Sequence, residues 1–223
     1  MVGEKRTDVR SLTPEEIVER SIGLLESGGL EHLTMRRLAE ACDVTPMALY
    51  RHVRDKDKLL ELITDQVFGR ILHQELRTPW REAIVDWCNV FRETCVETPA
   101  FAELVIRRSI PGPHASRVTE RLYEALHKGG FRGELAVHAH DSIYLFTLGA
   151  IGFDAFDKTQ RLTVRADSIQ TLSPSEIPLF ASHLAELKYR DPTERFLWGI
   201  NVLLDGLEDQ LTRAKASPGR KGS

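Results

Sequence analysis

Apolar residues recur every three or four positions along almost the whole chain, and the strict alternation of a half-buried strand hardly occurs. The pattern predicts helices throughout. Thr13-Pro14-Glu15-Glu16 reads as a capping box with proline at the first helical position; Ile17, Val18, Ser21, Leu24 and Leu25 form one face behind it, and Gly28-Gly29 ends the helix. Thr34 caps a short second helix through Cys42, and Thr45-Pro46 caps a third that runs to about His52. A fourth begins near Asp55, carries Leu59, Leu60, Ile63, Val67 and Ile71, and reaches about residue 73. Beyond Thr78-Pro79, Trp80, Ile84, Trp87, Phe91 and Cys95 mark a longer helix that ends before Pro99. Phe101 to Ser109 form a short one closed by Pro111-Gly112-Pro113. Val118, Leu122 and Leu126 belong to the next, which stops at Gly129-Gly130, and Glu134 to Phe156 read as a long helix. Residues 157–172 carry no period and predict a mobile loop. Two more capping boxes, Ser173-Pro174-Ser175-Glu176 and Asp191-Pro192-Thr193-Glu194, precede a last helix to about Arg213 and a basic, flexible tail over 214–223.

Composition narrows the class. With 223 residues, 42% apolar and 28% charged, the chain can bury one large or two modest cores, which excludes a disordered or fibrous protein. The 30 Lys and Arg against 33 Asp and Glu leave a net charge of −3, which on average argues mildly against a polyanionic partner. Cys42, Cys88 and Cys95 are odd in number and lack C-x-x-C spacing, so neither a disulfide framework nor a structural zinc site is indicated, and a reducing cytoplasm is the expected setting. The N-terminus MVGEKRTDVR has no apolar core of a signal peptide. The longest apolar stretch, Ile143 to Phe153, is broken by Thr147, Gly149 and Gly152, so no membrane partner is expected.

Local charge and spacing reverse the impression left by the average. Leu38-Ala39, Val44 and Leu49 have the spacing of a helix-turn-helix, in which a small alanine lets two helices cross closely. Asp43 occupies the bend, where the backbone needs a positive φ that Asp tolerates better than most residues. Between Leu33 and Lys58, Arg36, Arg37, Arg51, Arg54, Lys56 and Lys58 outnumber Glu40, Asp43, Asp55 and Asp57 by only two. Arrangement matters more than this surplus: Thr45, Met47, Tyr50, Arg51 and His52 crowd a helix too short to be justified by packing alone, as DNA phosphates and base edges would require.

This stretch resembles the tetracycline-repressor (TetR) family, carried by Leu33 to Leu60 and most specifically by Leu49-Tyr50-x-His52-Val53-x-x-Lys56-x-x-Leu59-Leu60. The resemblance implies an all-α fold: a helix-turn-helix DNA-binding domain over 1–58, a linking fourth helix over about 55–73, and a larger ligand-binding and dimerisation domain over 59–213. It further implies phosphate contacts from Tyr50, His52 and Lys56, and a base contact from Arg36 to guanine N7 and O6. Thr45, Pro46 and Met47 fall where the family varies its base readers, and Arg51 lies beside them. Pro46 cannot make the bidentate adenine contact that a glutamine there provides, so the operator of such relatives does not carry over to this chain. Phe146-Thr147-Leu148-Gly149, Phe196-Leu197-Trp198-Gly199 and Gly206-Leu207-Glu208-x-Gln210-Leu211 extend the resemblance to the ligand-binding domain of the tetracycline repressors proper.

For an effector, Trp87, Phe91, Phe101, Val105, Leu122, His140 and Tyr144 can converge on one apolar space, with Phe91, His140 and Tyr144 where the resemblance places ligand-facing side chains. For a dimer, Phe196, Ile200, Leu203, Leu207 and Leu211 line one stripe of the last helix, with Leu197, Leu204 and Leu211 on an adjacent one. Gly149 and Gly152 form a small patch on the helix over 134–156. The resemblance assigns both helices to a four-helix interface, Leu204 included, matching a palindromic double-stranded operator. No cofactor is implied. His138 and His140 stand two apart and point to different faces of a helix, which disfavours a shared metal ion. Magnesium-tetracycline is not the expected inducer, because Phe153 aligns with the relatives' glutamate and their histidine falls near Val105. A mostly apolar or aromatic effector is expected instead. Neither Cys88 nor Cys95 lies in a motif that activates a nucleophile, so an enzyme is not expected; an activator or a ligand-independent regulator is the alternative.

Overall fold

The computed structural model describes residues 12–72, 79–107, 112–156, 173, 175–183 and 191–216, and among them every regular element is an α-helix. They are α1 (Pro14–His32), α2 (Met35–Ala41), α3 (Pro46–Tyr50), α4 (Lys56–Leu72), α5 (Trp80–Glu97), α6 (Pro99–Arg107), α7 (Pro113–Gly129), α8 (Gly133–Phe156), α9 (Pro178–Ser182) and α10 (Pro192–Ala216). The predicted loop over 157–172 and the residues after 216 lie outside the described set.

Local chemistry sets most boundaries. Thr13 and Glu16 form the reciprocal capping box that opens α1, with Thr13 Oγ1 accepting from the Glu16 amide at 3.2 Å. Regular helix stops at Gly29, whose φ of 71° only glycine adopts freely, and one further turn carries the chain to His32. Thr34 caps α2 by accepting from the Arg37 amide, and Thr45 caps α3 by accepting from the Ala48 amide, each at 3.2 Å. The second helix ends at Ala41 rather than Cys42, because Asp43 turns left-handed at φ 56° and the Val44 amide folds back onto the Ala39 carbonyl at 3.0 Å. The third ends at Tyr50 rather than His52, since the His52 amide makes a tighter bond to Leu49 three residues back. Two later expectations also shift. Ser173 opens no helix: its hydroxyl faces Ser175 Oγ at 2.7 Å, and α9 starts only at Pro178. Asp191 does cap α10, its Oδ1 accepting from the Thr193 and Glu194 amides at 2.8 Å, and that helix runs to Ala216 rather than Arg213.

The apolar stripes build two cores. The first joins Ile17, Ile22 and Leu25 of α1 with Leu38, Ala39, Leu49 and the early part of α4, and it takes in Ala100, Phe101 and Leu104 from α6. The second packs α5, α7, α8 and α10 around Trp87, Phe91, Leu122, Ile143, Ile151 and Ile200. Phe101 therefore does not join Trp87 and Phe91. It belongs to the first core, fully buried with the Arg70 guanidinium 5.8 Å from its ring, because Phe101 and Leu104 face one side of α6 while Ala102 and Val105 face the other.

A buried ion cluster pins three helices of the second core. Asp154 of α8 accepts from Arg92 of α5 at 2.6 Å and pairs with Arg195 of α10. Arg92 also lies over the Phe196 ring at 5.2 Å, and Arg195 over Phe153 at 4.4 Å. Removing the carboxylate strands the Arg92 guanidinium, which is only 6% exposed, whereas the Arg195 side chain is 33% exposed and water compensates it. Asp154→Ala is therefore expected to destabilise the fold by about 3–5 kcal/mol, and Arg195→Ala by roughly 1 kcal/mol or less. Urea unfolding at fixed protomer concentration checks both, and equal losses would contradict this ranking.

Candidate functional site

The α2–α3 surface is built to present side chains outward. Leu49 is the one buried residue of α3, and its burial yields about 2–3 kcal/mol. Ordering five residues costs roughly 5–10 kcal/mol of backbone entropy. The helix is thus held by its cap and by the Leu38, Ala39 and Val53 packing around it rather than by its own apolar area. Met47 is 71% exposed and Tyr50 48%, and Thr45, Pro46, Arg51 and His52 are exposed beside them. Arg36 projects from the first turn of α2 with its Nε 3.8 Å from Glu40, an exposed pair too weak to hold it. Arg54 is engaged by Asp55 at 2.7 Å, and the Lys58 amide with the Arg54 guanidinium holds the Asp55 carboxyl below its ordinary range. Lys56, at the start of α4, donates to the Leu30 carbonyl at 3.3 Å, which ties the exit of α1 to the linking helix and leaves two of its three hydrogens for another acceptor.

Inside the second core, the rings of Trp87, Phe91, His140 and Tyr144 come together as a ladder. His140 and Tyr144 stack with centroids 5.9 Å apart, Tyr144 and Phe91 stack at 6.1 Å, and Phe91 meets Trp87 and Phe68 at 5.3 Å each. Trp87 Nε1 donates to the Val118 carbonyl at 2.9 Å, and His140 Nδ1 lies 3.0 Å from Asp141. Burial pushes the Tyr144 hydroxyl up, and the neighbouring Cys95 adds to the shift. Val105 and Leu122 are buried in the same core. Sequence reasoning missed Tyr123, which stacks on His140 at 4.7 Å and 3°, as well as Phe68 and the Arg92–Asp154–Arg195 cluster. Tyr123 follows the Leu122 stripe on α7, and only the approach of α8 reveals its partner.

His138 and His140 diverge: the His138 side chain is exposed 3.5 Å from Glu134, while His140 faces the rings. Among the described residues, no group of three His, Cys, Asp or Glu is placed to hold a metal ion. All three cysteines are buried, and burial pushes the Cys88 thiol up to about 12 and raises Cys95 as well, the opposite of an activated nucleophile. Among those residues, no helix is long and apolar enough to cross a membrane.

The outer faces of α8 and α10 differ from expectation. Phe196, Ile200, Leu204, Leu207 and Leu211 are buried inside the chain's own core, and Leu203 is half-buried against it. The wide apolar stripe of α10 faces α5 and α8 of the same chain, with Leu203 half-buried at its margin. What α10 exposes is Trp198, 64% accessible, and Val202; α8 exposes Leu145, 65% accessible, with Val137 and Gly149. Gly149 faces open space, whereas a Cβ on Gly152 would come within 3.2 Å of Ile106, so Gly152 serves the approach of α6.

Comparison with known proteins agrees with this layout. Residues 17–63 match the family model described as bacterial regulatory proteins, tetR family, and residues 74–211 match that of the tetracyclin repressor-like C-terminal domain. A helix-turn-helix-type transcriptional regulator of Saccharopolyspora erythraea is 31% identical over 65% of this chain, which spans 61% of that protein's length. The class E tetracycline repressor protein of Escherichia coli is 26% identical over 95% of this chain and 98% of its own. Among solved structures, apo ActR of Streptomyces coelicolor superposes with a TM-score of 0.80 at 26% identity over 91% of this chain and 98% of that one. The complex of ActR with actinorhodin gives 0.78 at 27% identity, covering 89% and 96%. The exposed α3 surface, the two-core helical layout and both family matches make this chain a member of the TetR family of bacterial transcriptional regulators.

Proposed function

We propose that the protein acts as a homodimeric repressor that binds a palindromic double-stranded operator in the cytoplasm and is released by a mostly apolar or aromatic small molecule. The observation that carries this reading is α3, which fully buries Leu49 alone and exposes Pro46, Met47 and Tyr50. Thr45, Pro46 and Met47 would contact base edges, with the Met47 thioether suited to thymine methyl groups, while Arg36 reads guanine. Tyr50, Arg51, His52 and Lys56 would contact phosphates and set the register. Two copies related by a twofold axis would place their recognition helices about 34–36 Å apart on one side of the duplex. The exposed apolar faces of α8 and α10, with Leu145, Gly149, Trp198 and Val202, supply the natural contact between those copies.

The effector would occupy the space bordered by Trp87, Phe91, Val105, Leu122, His140 and Tyr144, with Tyr123 added from α7. Aromatic walls and few polar handles favour a planar, largely apolar molecule. The solved relative ActR, captured with actinorhodin, supports this class. An effector that binds better to one arrangement of α4 to α8 than to the other would swing α4, change the separation of the recognition helices and lower operator affinity.

Three measurements test the reading. In fluorescence anisotropy with a selected operator, Tyr50→Ala is expected to weaken binding on every sequence, and Lys56→Ala additionally to reduce the salt slope by about 1. Arg36→Ala should cost about 1–3 kcal/mol and relax preference at one base pair, and uniform loss with unchanged preference would make it a phosphate contact. Trp198→Glu is expected to yield monomers in sedimentation and to abolish operator binding while the helical signal is retained; an intact dimer would move the interface elsewhere. Calorimetry with magnesium-tetracycline should give no tight, magnesium-dependent binding, because Phe153 and Val105 offer no oxygen or nitrogen to the ion.

A further inference from the structure

The linking helix is gripped near its middle by the start of α7. Gly112 is the N-cap of α7 and has no side chain with which to satisfy the first amides. Asp65 of α4 supplies the acceptor from a distant part of the sequence. Its Oδ1 accepts from the backbone N–H groups of His114 at 3.0 Å and Ala115 at 3.1 Å, and its Oδ2 lies 2.9 Å from His114 Nδ1. The carboxylate does for α7 what an N-cap side chain does, with its charge facing the positive end of the helix dipole. At Gly112 the approach leaves no room, since a Cβ there would fall 2.0 Å from Asp65 Oδ1, while one on Gly69 would rest in ordinary contact with the His114 ring at 3.5 Å. Further along, α7 offers the Val118 carbonyl to Trp87 and the Tyr123 ring to His140. Directional contacts therefore run without a gap from the ring ladder through α7 and Asp65 to α4.

We propose that the Asp65 cap on α7 is the joint through which the effector-binding and DNA-reading halves sense one another, an inference that rests on the effector-controlled DNA binding proposed above. A cap suits this task because it is made or broken. A relative shift of roughly 1 Å takes its N–H groups out of hydrogen-bond range. Asp65 is a positioning residue in this scheme: it touches neither DNA nor effector, and it fixes α4 to α7 so that α4 cannot move while α7 stays.

Reciprocity of linkage makes the joint testable with DNA alone, since a cap that transmits an effector's action to α4 must also register operator binding at α7. The experiment follows hydrogen exchange at the His114 and Ala115 amides of the full chain, free, with the operator duplex that this protein selects from a random-sequence pool, and with a scrambled duplex. Operator is expected to change exchange at these two amides by about fivefold or more, the lower end of ordinary site-to-site coupling, and the scrambled duplex is expected to leave it unchanged. Asp65→Ala and Gly112→Ala open the cap from opposite sides, and either one that folds should hold the operator and reduce the change below about twofold. Operator-bound wild type with unaltered exchange at both amides, or a folded variant that retains the full change, overturns the joint and leaves DNA reading intact. Failure to select any duplex overturns the DNA reading and the joint together.

Discussion

The linking helix α4 has to satisfy two cores at once. Leu59, Leu60, Ile63 and Val67 pack into the DNA-reading core, while Phe68 and Ile71 pack into the larger one. Val67 and Phe68 are consecutive, so the buried face rotates by about 100° in one step, and the two cores sit on adjoining sides of one uninterrupted rod. α6 repeats the arrangement, with Phe101 and Leu104 in the first core and Val105 in the second. Neither half can therefore be repacked independently. Close-packed interfaces of this kind have discrete arrangements rather than a continuum, so a change on one side is passed on as a rigid displacement of the other.

The charge distribution serves the same division of labour. The second core holds its buried ions where they tie helices together, with Arg92 and Arg195 from two helices converging on Asp154 of a third. On the surface, Arg81 clamps α5 to α10 through Asp205 at 2.5 Å and Glu208 at 3.1 Å. The cations of the DNA-reading face are instead met by single, mostly exposed partners: Arg36 by Glu40 at 3.8 Å, Arg54 by Asp55, Lys56 by the Leu30 carbonyl and Lys58 by Glu61 at 2.9 Å. A net charge of −3 thus conceals a small cationic surface. A protein so close to neutrality gains little from diffuse attraction to any duplex.

Features set by neighbours in sequence were legible before the fold was known. The caps at Thr13, Thr34, Thr45 and Asp191 each need only a side-chain oxygen and the amide two or three residues on, and Asp43 takes the positive φ that the helix-turn-helix spacing demands. Features set by partners far away were not. Period places Phe196, Ile200 and Leu204 on one stripe, but it does not say whether that stripe faces α8 of the same chain or of another. The wider stripe went to the internal neighbours, leaving Trp198 and Val202 outside. Phe101 was misplaced for a similar reason, because α6 has two apolar sides and each meets a different core. Asp65 gave no signal at all, since its partners are backbone amides of a helix that begins with glycine and proline rather than with a capping side chain.

One residue of register separates the acid of α8 from the glutamate position of the tetracycline repressors that this sequence resembles. The Phe146-Thr147-Leu148-Gly149 alignment sets Phe153 where the tetracycline repressors carry their glutamate, and the acid in this chain follows at Asp154. One step along a helix turns a side chain by about 100°. Here that rotation carries the carboxylate into the gap between α5 and α10, where both of its oxygens are taken by guanidinium groups. The position left behind is filled by a phenyl ring lying under Arg195. An acid so engaged by two guanidinium groups has no oxygen left over for a hard cation.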